Sequence, residues 1–125
     1  MHDVNALVQR YFAVWNETDP DARLDLIAET WSDDATYVDP LLEGDGPVGI
    51  NAMVSGLQQQ FPEHRFRLVG SVDHHHDRLR FGWELVEPEN GVSVIEGIDF
   101  GIVSPNGQLQ SITGFVDRAS MMGIG

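Results

Sequence analysis

Val4, Leu7, Val8, Tyr11, Phe12 and Trp15 follow the i, i+3, i+4, i+7 spacing that lays one apolar stripe along an α-helix, with Gln9, Arg10, Asn16 and Glu17 off the stripe. This predicts a first helix from Val4. Asp19-Pro20 then supplies a capping carboxylate and a preset φ, and Leu24, Ile27, Ala28 and Trp31 continue at helical spacing, so a second helix is expected to end near Trp31. After the turn residues Ser32-Asp33-Asp34, the stretch Ala35 to Asp39 extends until Pro40 and reads as a short strand at a sheet edge. Leu42 to Gly49, rich in glycine, proline and acid, reads as a loop, and Gly46-Pro47 opens a third helix to about Gln60. Beyond Phe61-Pro62 the pattern turns β, over about 65–72, 79–87, 92–104 and 108–118, with "PENG" and "SPNG" as turns. Three helices followed by an antiparallel four-strand meander predict an α+β fold, with the helices on the concave face of a curved sheet. Such a sheet with a helical lid makes a cone whose mouth suits a small-molecule pocket.

The run "VSVIEGIDFGIV" breaks its own pattern, because it carries an acid, Asp99, inside an apolar strand. An ionised carboxylate in apolar surroundings costs several kcal/mol unless it is paired or neutralised. By strand parity Asp99 shares a face with Ile95, Gly97, Gly101 and Val103, and the flanking glycines leave room for close approach. The bland alternative is an exposed acid, or one paired with Arg80 or Arg118. Ile98, Phe100 and Ile102 fall on the opposite face, and apolar residues on both faces predict a homodimer through the outer one. Tyr11 lies on the stripe of the first helix, where its hydroxyl needs a partner inside the protein whether or not it has a chemical role. Asp39 and Tyr37, two apart on a strand, share a side, although an Asp-Pro pair also suits an exposed turn. Trp15, Tyr37, Trp83 and Phe115 are the aromatic candidates for a pocket wall. In "DHHHD" (residues 73–77), His74 and His76 would share a face, but no fixed third ligand is identifiable, so a solvated turn is expected and no metal site.

Composition narrows the classes further. The 125 residues suit a single domain, and 20 acidic against 7 basic residues give a formal net charge of −13, which disfavours nucleic acid and anionic membrane surfaces as partners. There is no cysteine, so disulfides and thiolate chemistry are excluded. No bilayer-length apolar stretch and no leader-like start are present, and a cytoplasmic location is the expectation. No phosphate loop or nucleophile elbow occurs, and no cofactor is implied.

Three segments together resemble the ketosteroid isomerases, within the SnoaL-like polyketide cyclases and nuclear transport factor 2-like domains: "VQRYFAVWN", "WSDDATYVDP" and "GIDFGIVSPNGQL". The resemblance implies a cone-shaped, cystatin-like α+β barrel. It also implies a cofactor-independent enolate-type proton transfer on a small hydrophobic carbonyl compound. In that reading Asp39 is the ionised base, and Tyr11 and a protonated Asp99 donate to the enolate oxygen. A cyclase-like role, with Asp99 as the acid/base, and a non-catalytic, small-molecule-binding dimeric module are the alternatives.

Overall fold

The computed structural model describes residues 3–119. Helix α1 (Val4–Asn16) starts on Asp3, whose carboxylate accepts from the backbone N–H groups of Asn5 and Ala6, and it buries the stripe from Leu7 to Trp15. Helix α2 (Pro20–Thr30) is capped by Asp19 and has proline in its first turn. Helix α2 ends at Thr30 with Trp31 as its C-cap, near the expected end, and strand β1 (Trp31–Val38) follows without a break, so the expected turn Ser32-Asp33-Asp34 lies within the strand. The period continues to Trp31, but the indole is buried at the start of β1. A three-residue strand β2 (Glu43–Asp45) forms inside the expected loop and leads into α3 (Gly46–Gln60). Strands β3 (Arg65–His75), β4 (Arg78–Val86), β5 (Ser93–Val103) and β6 (Leu109–Ala119) complete the described chain.

The six strands form one sheet in the order β2-β1-β6-β5-β4-β3. The last four make the expected antiparallel meander, but the sheet as a whole is mixed, because β1 lies parallel to β6. Strand β1 is therefore not an edge strand: β2 covers its free side. The pairing register shifts within the β3/β4, β4/β5, β5/β6 and β1/β6 ladders, and such irregularities bend a sheet and strengthen its twist. The result is a curved, unclosed sheet with helices against one face, an α+β fold.

Strand β3 runs past its expected end near Val72 into the histidine run, so His74 and His75 are strand residues paired with Leu79 and Arg78, and the turn falls at His76-Asp77. Among the described residues no three histidine, aspartate or glutamate side chains gather as a metal site. No helix among them is long and apolar enough to cross a membrane.

Candidate active site

Strand register sets the geometry of the acids. On the helix-facing side of the sheet, Phe81 of β4 pairs with Asp99 of β5, and Asp99 pairs with Gly114 of β6. On the other side of β6, Val38 pairs with Thr113, so Asp39 emerges from the end of β1 beside Gly114. A Cβ placed on Gly114 would lie 2.7 Å from Asp99 Oδ1, 3.1 Å from Asp39 Cβ and 3.4 Å from the Tyr37 hydroxyl. The glycine is the gap across which two acids from different strands face one cavity.

Asp99 is 2% exposed, and its partners are neither Arg80 nor Arg118, which pair with Asp73 and Glu96. Tyr11 donates to Asp99 Oδ2 at 2.6 Å from α1, and the Trp83 indole N–H donates to Oδ1 at 3.0 Å from β4. Burial pushes the Asp99 carboxyl up to about 7. The Tyr11 and Trp83 donors pull against that rise, and the charge of nearby Asp39 adds to it. Burial, and then the charge of Asp99, hold the Tyr11 hydroxyl well above the ordinary phenol range. Tyr11 therefore stays protonated at neutral pH and is available only as a hydrogen-bond group.

Asp39 sits in a contrasting setting. Its Oδ1 accepts the backbone N–H groups of Leu41 and Leu42, both at 2.8 Å, and its Oδ2 accepts the Tyr37 hydroxyl at 2.6 Å. Three donors aimed at one carboxyl group suit an acceptor-only, ionised side chain. Tyr37 is itself buried, and burial followed by the charges of Asp99 and Asp39 keeps its hydroxyl protonated far above the ordinary range.

Around this polar end the cavity is apolar, walled by Phe12, Trp15, Phe61, Phe66, Trp83 and Ile95 among others. At about 80 Å³ it holds several times the volume one water needs, so a small organic molecule can enter. Among the described residues no lysine, arginine or histidine lines it, and these residues offer an anionic ligand no counter-charge.

Tyr11, Asp39 and Asp99 thus meet at one cavity, and Trp15, Tyr37 and Trp83 line it. Phe115 does not: it pairs with Ile98 and stands 55% exposed on the outer face, because Gly114 takes the inward position and parity turns its neighbour away. Sequence reasoning left two features unused. Gly114 is foreshadowed only by a glycine inside a β-branched run, and the donor roles of Trp83 and Tyr37 depend on side-chain aim.

A curved mixed sheet under three helices, with acids and tyrosines lining an apolar cavity, defines the class of nuclear transport factor 2-like, or cystatin-like, α+β domains. Residues 8–112 match the model of the SnoaL-like domain, and the chain belongs to the SnoaL-like family. It is similar to a protein from Agrobacterium tumefaciens strain C58 provisionally designated an isomerase of the SnoaL-like family, with 38% identity, a TM-score of 0.86, and coverage of 90% of this chain and 96% of that one. A protein from Jannaschia sp. CCS1 provisionally designated a SnoaL-like polyketide cyclase shares the fold at 17% identity and a TM-score of 0.67, over 89% and 85% of the two chains. So does a nuclear transport factor 2-like protein of unknown function from Exiguobacterium sp. 255-15, at 21% identity and a TM-score of 0.70, over 90% and 99%. No curated protein matches the chain.

Proposed function

We propose that the protein is a cofactor-independent enzyme that moves a proton on a small, uncharged, hydrophobic carbonyl compound through an enolate, in the manner of a double-bond isomerase. The observation that carries this reading is the convergence of the two acids of contrasting environment, Asp39 and Asp99, on one apolar cavity across Gly114. Asp39 Oδ2 takes the proton α to the carbonyl, the C–H electron pair becomes the enolate double bond, and the same acid returns the proton further along the substrate. The negative charge appears on the carbonyl oxygen. With Asp99 protonated, the 2.6 Å contact to Tyr11 persists with its direction reversed: Asp99 donates to the phenol oxygen, and the tyrosine hydrogen is released toward the substrate. Carboxyl titration at about 7 makes that neutral form available near neutral pH.

A second reading, a cyclase-type proton transfer with Asp99 as the acid/base, is favoured by one observation: both Asp99 oxygens already accept hydrogen bonds, from Tyr11 and Trp83, as in an ionised acceptor. Conversion of a β,γ-unsaturated cyclic ketone to its conjugated isomer, followed by ultraviolet absorbance, tests both. Under the isomerase reading Asp39→Asn lowers turnover by roughly 10³-fold, while Asp99→Asn, whose amide can still donate, retains partial activity. The reverse order supports the cyclase-type role. Full turnover in Asp39→Asn would remove Asp39 as the base.

A further inference from the structure

The Asp39 carboxylate is held unevenly. Oδ1 is committed to two backbone N–H groups of the loop that follows β1, both at 2.8 Å, which leaves Oδ2 as the oxygen able to meet a substrate. The Tyr37 hydroxyl donates to Oδ2 at 2.6 Å. The Tyr37 ring has little freedom, since Trp15 and Trp31 both pack edge-on against it, with centroids 5.4 Å and 6.4 Å away. Its hydroxyl also borders the gap at Gly114 that separates Asp39 from Asp99.

We infer that Tyr37 is a positioning residue for the reacting oxygen of Asp39: its packed ring and its hydrogen bond to Oδ2 fix that oxygen in the cavity, so that Tyr37 acts on proton transfer without exchanging a proton itself. This inference rests on the proposed function for its catalytic consequence, but the placement of Oδ2 can be measured without turnover. A phenol locked between two indoles loses little freedom when it makes its bond, and the carboxylate it holds is already aimed before substrate arrives. Because burial and the two acids keep the Tyr37 hydroxyl protonated, it remains a donor throughout, and every proton removed from the substrate stays on Asp39 until it is returned.

Tyr37→Phe keeps the ring and deletes the hydrogen bond. Three readouts are needed: turnover of the unsaturated ketone, affinity for a small phenol as an enolate mimic, and the carboxyl carbon resonances of labelled aspartate at fixed pH, with Asp39 assigned by its loss in Asp39→Asn. The expected result is a kcat lower by about tenfold or more, phenol affinity within about twofold of the parent, and a displaced Asp39 resonance. In the Asp39→Asn background the same substitution should have little further effect on kcat, because its partner is already gone. An unmoved Asp39 resonance, or kcat and phenol affinity falling together, would overturn the inference. A displaced Asp39 resonance in a protein that turns over no carbonyl probe upholds the positioning and refutes the proposed reaction, so the two failures are distinguishable.

Discussion

A methyl group at position 114 has no space to occupy, since it would meet Asp99 Oδ1 at 2.7 Å and Asp39 Cβ at 3.1 Å, and neither of these can retreat without breaking its own bonds. Gly114→Ala is therefore expected to lower kcat by roughly 10²-fold through displaced acids, while circular dichroism shows the sheet intact. Unchanged turnover would mean that the acids need not approach each other as described. The raised titration of Asp99 has a consequence for stability as well. Its folded carboxyl titrates at about 7 and its ordinary value is 3.8, so between those limits the folded chain binds the extra proton and stability falls as pH rises. Asp99→Asn lacks this penalty, so its stability relative to the parent should improve from pH 4 to pH 8, by roughly 4 kcal/mol at most for three units. Urea titrations at the two pH values measure the difference, and a difference independent of pH contradicts the buried titration. At this scale the sequence announced Asp99 by an acid in an apolar run, and Asp39 by its shared side with Tyr37 and by the "WSDDATYVDP" resemblance, against the turn reading that Pro40 favoured. It did not announce their common neighbour, because a strand glycine has many causes and only the register of β6 selects this one.

The helices owe their mutual placement to a buried cation. Arg23 of α2 is 1% exposed. Its guanidinium donates to the Glu17 carbonyl, to the Asn51 side chain and carbonyl, to the Ser55 hydroxyl and to Gln58 Oε1, tying the end of α1 to α3. Gln58 extends the tie by donating to the Trp15 and Glu17 carbonyls. Arg23→Ala would strand these buried acceptors and open a cavity, with an expected loss of roughly 3–5 kcal/mol in chemical denaturation. A loss below about 1 kcal/mol would show that water replaces the guanidinium without penalty. Nothing in the pattern of α2 distinguished Arg23 from a solvated arginine, because its burial depends on α3, which is 20 and more residues away. The helices themselves were legible from their period and caps. Strand β2 was not, since Glu43-Gly44-Asp45 has no strand character of its own and pairs only because β1 presents it with a partner.

Seen as a whole, the molecule exposes apolar side chains on the sheet face turned away from the helices: Val69, Phe100 and Phe115 are each at least 40% exposed there. We expect a second copy of the chain to cover this face, as alternation along β5 first suggested. Sedimentation should then give the mass of two chains, and Phe115→Asp the mass of one; a parent protein that sediments as a single chain refutes the pairing. The meander was legible from alternation and turn residues. The parallel union of β1 with β6 was not, because it joins segments about 75 residues apart and leaves no local mark. That union has a further consequence for how the protein comes into being. Tyr11 and Asp99 are 88 positions apart, and the two acids are separated by all of α3, β3 and β4. Contacts of such long range form late and slowly in a folding chain. Helices and hairpins can therefore be largely in place while the cavity is still unformed, and a nascent chain brings Asp39 and Asp99 together only when β6 has been added between β5 and β1.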